Sequence, residues 1–311
     1  MTELVTLFGG GGFLGRYVAQ ALLQRGARVR IVGRDPKRAF FVKPQGGLGQ
    51  TQFVAADVTK PDTVQRAVGG SDAVVNLVGL LSGKLHLVHV EGARHVAEAA
   101  AAAGAKALVH VSAIGADVQS PSDYGRTKAQ GEIAARTAYP AATIVRPSIL
   151  FGAEDEFVNR FAGMIQSAPA VPIMRPTTRF QPAFVADIAK AIANAVLDPE
   201  TYAGKTFELG GPEVLTMGEL VRRTAAMIGA EPTFLELPDS LSALIARFGF
   251  LPGAPITVEQ WKMLKQDNVA GSGIGGLAEM GVLPTPLGAV APSWLVRYRR
   301  MGRFGAVRKA S

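Results

Sequence analysis

The sequence predicts an α/β protein built on a doubly wound parallel sheet, with a smaller, loop-rich C-terminal lobe. Three observations predict it. Short β-rich runs alternate with helical patterns through the first half of the chain. A glycine cluster, Gly9-Gly10-Gly11-Gly12-Phe13-Leu14-Gly15, falls between the first strand and the first helix. Past Gly152 that rhythm stops, and prolines crowd the sequence.

Strands are read at Leu4–Phe8, Arg28–Val32, Gln52–Ala55, Ala73–Asn76, Ala107–Ser112 and Thr143–Arg146. Between the first two, Leu14, Val18, Ala21 and Leu22 share one helical face. Helices over Pro61–Val68, Leu85–Ala103 and Asp123–Tyr139 supply further crossovers, the last ending before Pro140. Ala186–Leu197 reads as one more helix on the sheet. The expected division is residues 1–155 as a Rossmann-type domain with 183–200 packing back on it. Residues 156–182 and 201–293 form the smaller substrate-side lobe, and 294–311 a basic tail.

Composition narrows the class. The 311 residues are 48% hydrophobic and 19% charged, a globular balance. With no cysteine there is no disulfide, thiolate metal site or cysteine nucleophile, which suits a reducing cytoplasm. Glu3 interrupts the start of the chain, so no secretory signal is read there, and without an Arg-rich, Ser-rich leader no mitochondrial-type presequence is expected either. The apolar stretch Leu241–Val258 contains Arg247, Pro252 and Pro255 and is not read as a spanning helix.

The net charge of +8 is unevenly spread. Six basic residues, Arg297, Arg299, Arg300, Arg303, Arg308 and Lys309, follow the last acidic one, Glu279; the rest of the chain has 27 basic against 25 acidic residues. These charges interleave with Trp294, Tyr298 and Phe304, a pattern expected at an anionic membrane surface. A solvated tail is the alternative; nucleic acid is not expected, because no nucleic-acid motif accompanies the charge.

The glycine cluster carries the first chemistry. Its residues allow a tight turn, let backbone N–H groups reach a pyrophosphate and let the helix pack closely on the strand. Gly9, Gly11, Gly12, Phe13, Leu14 and Gly15 are therefore assigned to dinucleotide binding at a helix N-terminus. A second match, Gly271-Ser272-Gly273-Ile274-Gly275-Gly276, follows no strand and is read as a flexible surface loop. The second strand ends Gly33-Arg34-Asp35, where selection of NAD usually calls for a carboxylate. Gly33 offers none, and the Arg34 guanidinium suits a 2′-phosphate, so NADP(H) is favoured over NAD(H). Asp57-Val58 suits the adenine edge, and Val78-Gly79 lets the backbone pass the cofactor.

Ser112 ends the fifth strand, and Tyr124 and Lys128 lie four apart on one helical face. An ammonium beside a phenol stabilises phenolate and makes the tyrosine a usable acid or base, with Ser112 holding a substrate oxygen. His86, His89, His95 and His110 form no metal-ligand pattern, and no metal is expected.

Gly9-x-x-Gly12-x-x-Gly15, Asn76-Leu77-Val78-Gly79, Ser112 and Tyr124-x-x-x-Lys128 resemble the extended short-chain dehydrogenase/reductase superfamily, which includes epimerases and dehydratases. Ile144–Asp155, Phe157-x-Asn159-Arg160-Phe161 and Gln181–Ala189 resemble the nucleotide-binding accessory subunit of respiratory complex I and its bacterial relatives. The resemblance covers about the first two-thirds of the chain. It adds Pro147 to the cofactor residues. It implies NADP(H) held for structure or assembly, with complex I or quinone-biosynthesis proteins as partners and a cytoplasmic location peripheral to the membrane. Ala113 follows Ser112 where many active members carry a second hydroxyl, while the complete Tyr124/Lys128 pair keeps oxidoreductase or epimerase activity open.

Overall fold

The computed structural model describes residues 3–247, 256–300 and 302. They fall into two compact units: residues 3–147, 185–209 and 270–283 in one, and the remainder in the other.

The first unit is a seven-stranded sheet in which every paired strand is parallel. Its strands are β1 (Leu4–Phe8), β2 (Arg28–Gly33), β3 (Thr51–Ala55), β4 (Ala73–Asn76), β5 (Ala107–Val111), β6 (Thr143–Pro147) and β7 (Thr206–Leu209), in the spatial order 7-6-5-4-1-2-3. Crossovers run through α1 (Phe13–Gln24), α2 (Pro61–Val68), α3 (Gly92–Ala102), α4 (Asp123–Ala138) and α5 (Val185–Leu197). Parallel strands are covered on both faces, so β1 and β5 are buried at all five positions. Helix α1 packs on α5, and α3 packs on α2 and α4. Phe8, Val74, Val96, Leu108 and Ile144 meet in one of the resulting cores. The chain reverses direction across the sheet between β1 and β4, which places a ligand crevice at the carboxyl ends of those two strands.

Four details differ from the sequence reading. The crossover expected as one helix over Leu85–Ala103 contains a π-helical turn, Leu87–Glu91, before α3 begins. Thr206–Leu209, expected in the smaller lobe, is the seventh strand: it pairs with β6 from Thr206↔Ile144 to Leu209↔Pro147. The second glycine cluster is at the surface but is built into this edge. Gly275 accepts from the Glu208 N–H, Gly271 N–H donates to the Glu208 carboxylate at 2.8 Å, and Gly275 packs on Phe207.

The fourth difference is the start of the expected tail. In the second unit, helices Val158–Ser167 and Met217–Ile228 pack around Phe151, Ile173, Phe180 and Val221, beside the parallel pair Ala170–Met174 and Thr233–Leu237. Leu295 is fully buried in this core, and Trp294 stacks on Phe184 at 6.4 Å. Arg297 donates to Asn159 Oδ1 and the Ala153 carbonyl, and Arg299 to the Met227 carbonyl. The interleaved residues from Trp294 to Arg299 are thus part of a fold, because the aromatic and leucine side chains find apolar partners within the same unit. Phe304, Arg303, Arg308 and Lys309 lie outside the described residues, as do positions 248–255 of the Leu241–Val258 stretch. Among the described residues, no helix is long and apolar enough to cross a membrane.

Candidate functional site

The glycine turn begins where β1 ends. Gly9 has φ +81°, a left-handed conformation that glycine adopts without a Cβ clash, and its N–H donates to the Val32 carbonyl. Gly12 caps α1 with no side-chain hydrogen bond, and the first turn of α1 has no acidic residue. The helix therefore presents unpaired N–H groups and the positive end of its dipole to the loop. A Cβ at Gly11 would come within 2.8 Å of the Ala39 Cβ, and one at Gly10 within 3.1 Å of Leu7 and Ile31. Phe13 and Leu14 are half-buried on the first turn, Phe13 edge-on to Tyr17. These residues fit a pyrophosphate.

The residues expected on the adenosine side stand at the ends of β2 and β3. Gly33 has open space where a side chain would stand, and Arg34 is exposed. Asp35 accepts from the Lys37 N–H at 3.1 Å and caps the 3-10 segment Pro36–Gln45. Asp57 accepts from the N–H and hydroxyl of Thr59, which hold its carboxyl below the usual range, with Arg34 and Lys60 adding to the effect. Val58 is buried; its carbonyl accepts from His95 Nδ1, and its side chain packs on Gly92.

The loop after β4 leads toward Ser112, Tyr124 and Lys128. Asn76 Oδ1 accepts from the Val78 N–H at 3.1 Å, and its amide lies 3.3 Å from His110 Nδ1. Gly79 lies beside Lys128: a Cβ there would be 3.9 Å from Lys128 Nζ. Ser122 caps α4 by accepting from the Gly125 N–H, which fixes the turn that carries Tyr124 and Lys128. Lys128 is buried and donates to the Val111 carbonyl at 2.7 Å; desolvation pulls its ammonium down to about 8, against the opposing pull of Glu132. Tyr124 is half-buried, and desolvation pushes its phenol up to about 12. Ser112 is 4% exposed, and its hydroxyl has no hydrogen-bond partner among the described residues. Its N–H donates to the Val145 carbonyl, while the Pro147 carbonyl accepts from Ile114, so both strand ends are held in register.

Sequence reasoning missed His89. It is 2% exposed, accepts from the Leu80 N–H at 2.9 Å and meets the Tyr124 ring edge-on at 5.6 Å. His86, its neighbour at helical spacing, is exposed. The available signal was a histidine three residues before the glycine that opens α3, but only the fold reveals what that ring touches.

A parallel sheet with a glycine turn at its reversal point, followed by a serine and a Tyr-x-x-x-Lys pair, defines the short-chain dehydrogenase/reductase class. A family model described as NAD(P)H-binding matches residues 9–159. The rat protein named NADH dehydrogenase (ubiquinone) 1 alpha subcomplex subunit 9, mitochondrial, is 36% identical over 95% of this chain and 80% of its own length. A ceramide reductase from Caulobacter vibrioides is 30% identical over 81% of this chain and 80% of its own. The crystal structure of a Citrobacter triphenylmethane reductase complexed with NADP(H) has the same fold, with a TM-score of 0.76 at 19% identity, over 93% of this chain and 99% of that one. The chain belongs to the NAD(P)H-binding family of the complex I alpha subcomplex subunit 9 proteins.

Proposed function

We propose that this protein holds NADP(H) as a tightly bound nucleotide and serves as an accessory or assembly factor of a complex I-type, quinone-linked respiratory system. The observation that carries this reading is the 36% identity to a protein named as a complex I subunit, sustained over 95% of the chain. Quinone-biosynthesis proteins are the alternative partners. Peripheral attachment to an anionic membrane rests on the basic residues after Tyr298 and not on the packed Trp294.

The residues fit the nucleotide as follows. The N–H groups of Gly9 to Gly15 and the α1 N-terminus receive the pyrophosphate, and Asp57 and Val58 the adenine edge. Arg34 receives the 2′-phosphate; Gly33 supplies no carboxylate there, and the Asp35 carboxylate is turned to Lys37. Val78, Gly79 and Pro147 border the nicotinamide half, with Ser112, Tyr124 and Lys128 at its reactive end. A bound nicotinamide supplies hydride transfer. Holding is favoured over turnover because the phenol stands near 12 and the ammonium hydrogen-bonds a backbone carbonyl.

Mass spectrometry of nucleotide released from the purified protein tests the cofactor, and capture of the tagged chain from detergent-solubilised membranes tests the partner. NADP(H) near one per chain, together with complex I subunits, is expected. NAD(H) alone, or no respiratory protein, would overturn the corresponding half.

An active reductase or epimerase is the second reading. The buried Ser112 hydroxyl, unpartnered among the described residues, favours it, since a substrate oxygen would satisfy that group. Oxidation of NADPH by a ketone or aldehyde, abolished in Tyr124→Phe, would establish it.

A further inference from the structure

His89 joins two segments that are far apart in sequence. It sits in the π-helical turn Leu87–Glu91, whose backbone packs against α4 so closely that a Cβ at Gly131 would lie 2.2 Å from the His89 carbonyl oxygen. Its Nε2 accepts from the Leu80 N–H, and a backbone amide can only donate, so Nε2 carries no proton. In the neutral ring the proton is then on Nδ1, which donates to Thr127 Oγ1 at 2.9 Å. Thr127 Oγ1 in turn donates to the Asp123 carbonyl at 2.7 Å, with the Tyr124 carbonyl at 3.2 Å. Burial first, and the positive charge of Lys128 second, hold this imidazole at about 4. The tautomer is therefore fixed through the neutral range.

The segment held by Nε2 runs along the length of the proposed dinucleotide site. At one end, a Cβ on Gly9 would lie 3.3 Å from Leu77; at the other, a Cβ on Gly79 would lie 3.8 Å from His89 Nε2 and 3.9 Å from Lys128 Nζ. We propose that His89 is a positioning residue: its ring fixes the Val78–Leu80 segment against the first turn of α4 and so sets the gap that receives the nicotinamide half of the nucleotide. The proposal rests on the nucleotide-binding reading.

Two ligands separate the proposal from that reading. NADPH spans the whole site, whereas adenosine 2′,5′-bisphosphate reaches only the adenosine end. His89→Phe keeps a ring of similar shape and removes both hydrogen bonds; its NADPH Kd should rise about tenfold or more, a net loss on the scale of one or two hydrogen bonds. Adenosine 2′,5′-bisphosphate should bind as before, and His89→Gln should recover part of the loss. Thr127→Val removes only the Nδ1 partner and should give part of the same selective effect. In the wild-type protein, nitrogen-15 NMR between pH 6 and 8 should show Nδ1 protonated and Nε2 bare. Equal weakening of both ligands, unchanged NADPH binding, or a protonated Nε2 would overturn the positioning role. Wild-type protein that binds neither ligand would overturn the nucleotide reading, and the proposed role with it. Should His89→Phe not fold, the wild-type tautomer and the Thr127→Val affinities decide the matter.

Discussion

Gly15 lies directly under Gly9: a Cβ at Gly15 would stand 2.3 Å from the Gly9 carbonyl oxygen and 2.6 Å from the Gly10 Cα. All of these neighbours are backbone, so nothing can rotate aside. Gly15→Ala should force α1 away from the turn, with a cost of about 1–3 kcal/mol in stability and a large loss of nucleotide affinity. Gly33→Ala is the control, since a Cβ there meets nothing within 4 Å. It should stay within about 0.5 kcal/mol of wild type. Thermal melts and nucleotide titrations of the two variants check both statements.

Cofactor choice is testable at the end of β2. Arg34→Ala should weaken NADPH by about 1.5–3 kcal/mol, the range for a hydrogen bond to a charged group, and leave NADH nearly unchanged. Gly33→Asp places a carboxylate in open space and should move preference toward NADH. Equal losses for both nucleotides in Arg34→Ala would remove the 2′-phosphate assignment.

Lys128 makes the stability of the first unit depend on alkaline pH. Its folded pKa of about 8 lies below the ordinary lysine value of 10.5, chiefly because of desolvation. Between those values the unfolded chain binds more protons than the native one, so stability should rise with pH from about 8 to 10.5. Below about 8 the cost of burying the charge is present in full. Lys128→Met should flatten this slope in denaturant titrations of the nucleotide-free protein. A slope that persists in the variant would assign it to another group.

Asp155 organises the second unit. One carboxylate oxygen accepts from the N–H groups of Phe157, Val158 and Asn159, and the other from Gly152. Asp155→Ala leaves these donors unsatisfied and removes the carboxylate from the start of the Val158–Ser167 helix. A loss of about 1–3 kcal/mol is expected, measured by chemical denaturation. Truncation before Trp294 should destabilise the same unit, because it removes the fully buried Leu295 and the ring stacked on Phe184.

The sequence by itself determined the first six strands, the glycine turn after Phe8 and the common face of Tyr124 and Lys128. Each is written in local periodicity: β-rich runs of a few residues, glycines at fixed offsets, and a four-residue helical step. The tertiary structure alone decided that Thr206–Leu209 completes the sheet beside β6, that Gly275 is bound to its edge, and that Trp294 belongs in a core. It also decided that His89 reads Leu80 on one side and Thr127 on the other. These are pairings between segments from nine to more than a hundred residues apart, as with Phe184 and Trp294. Their energy comes from hydrogen bonds and apolar contacts that exist only after the chain has folded, so no local pattern records them.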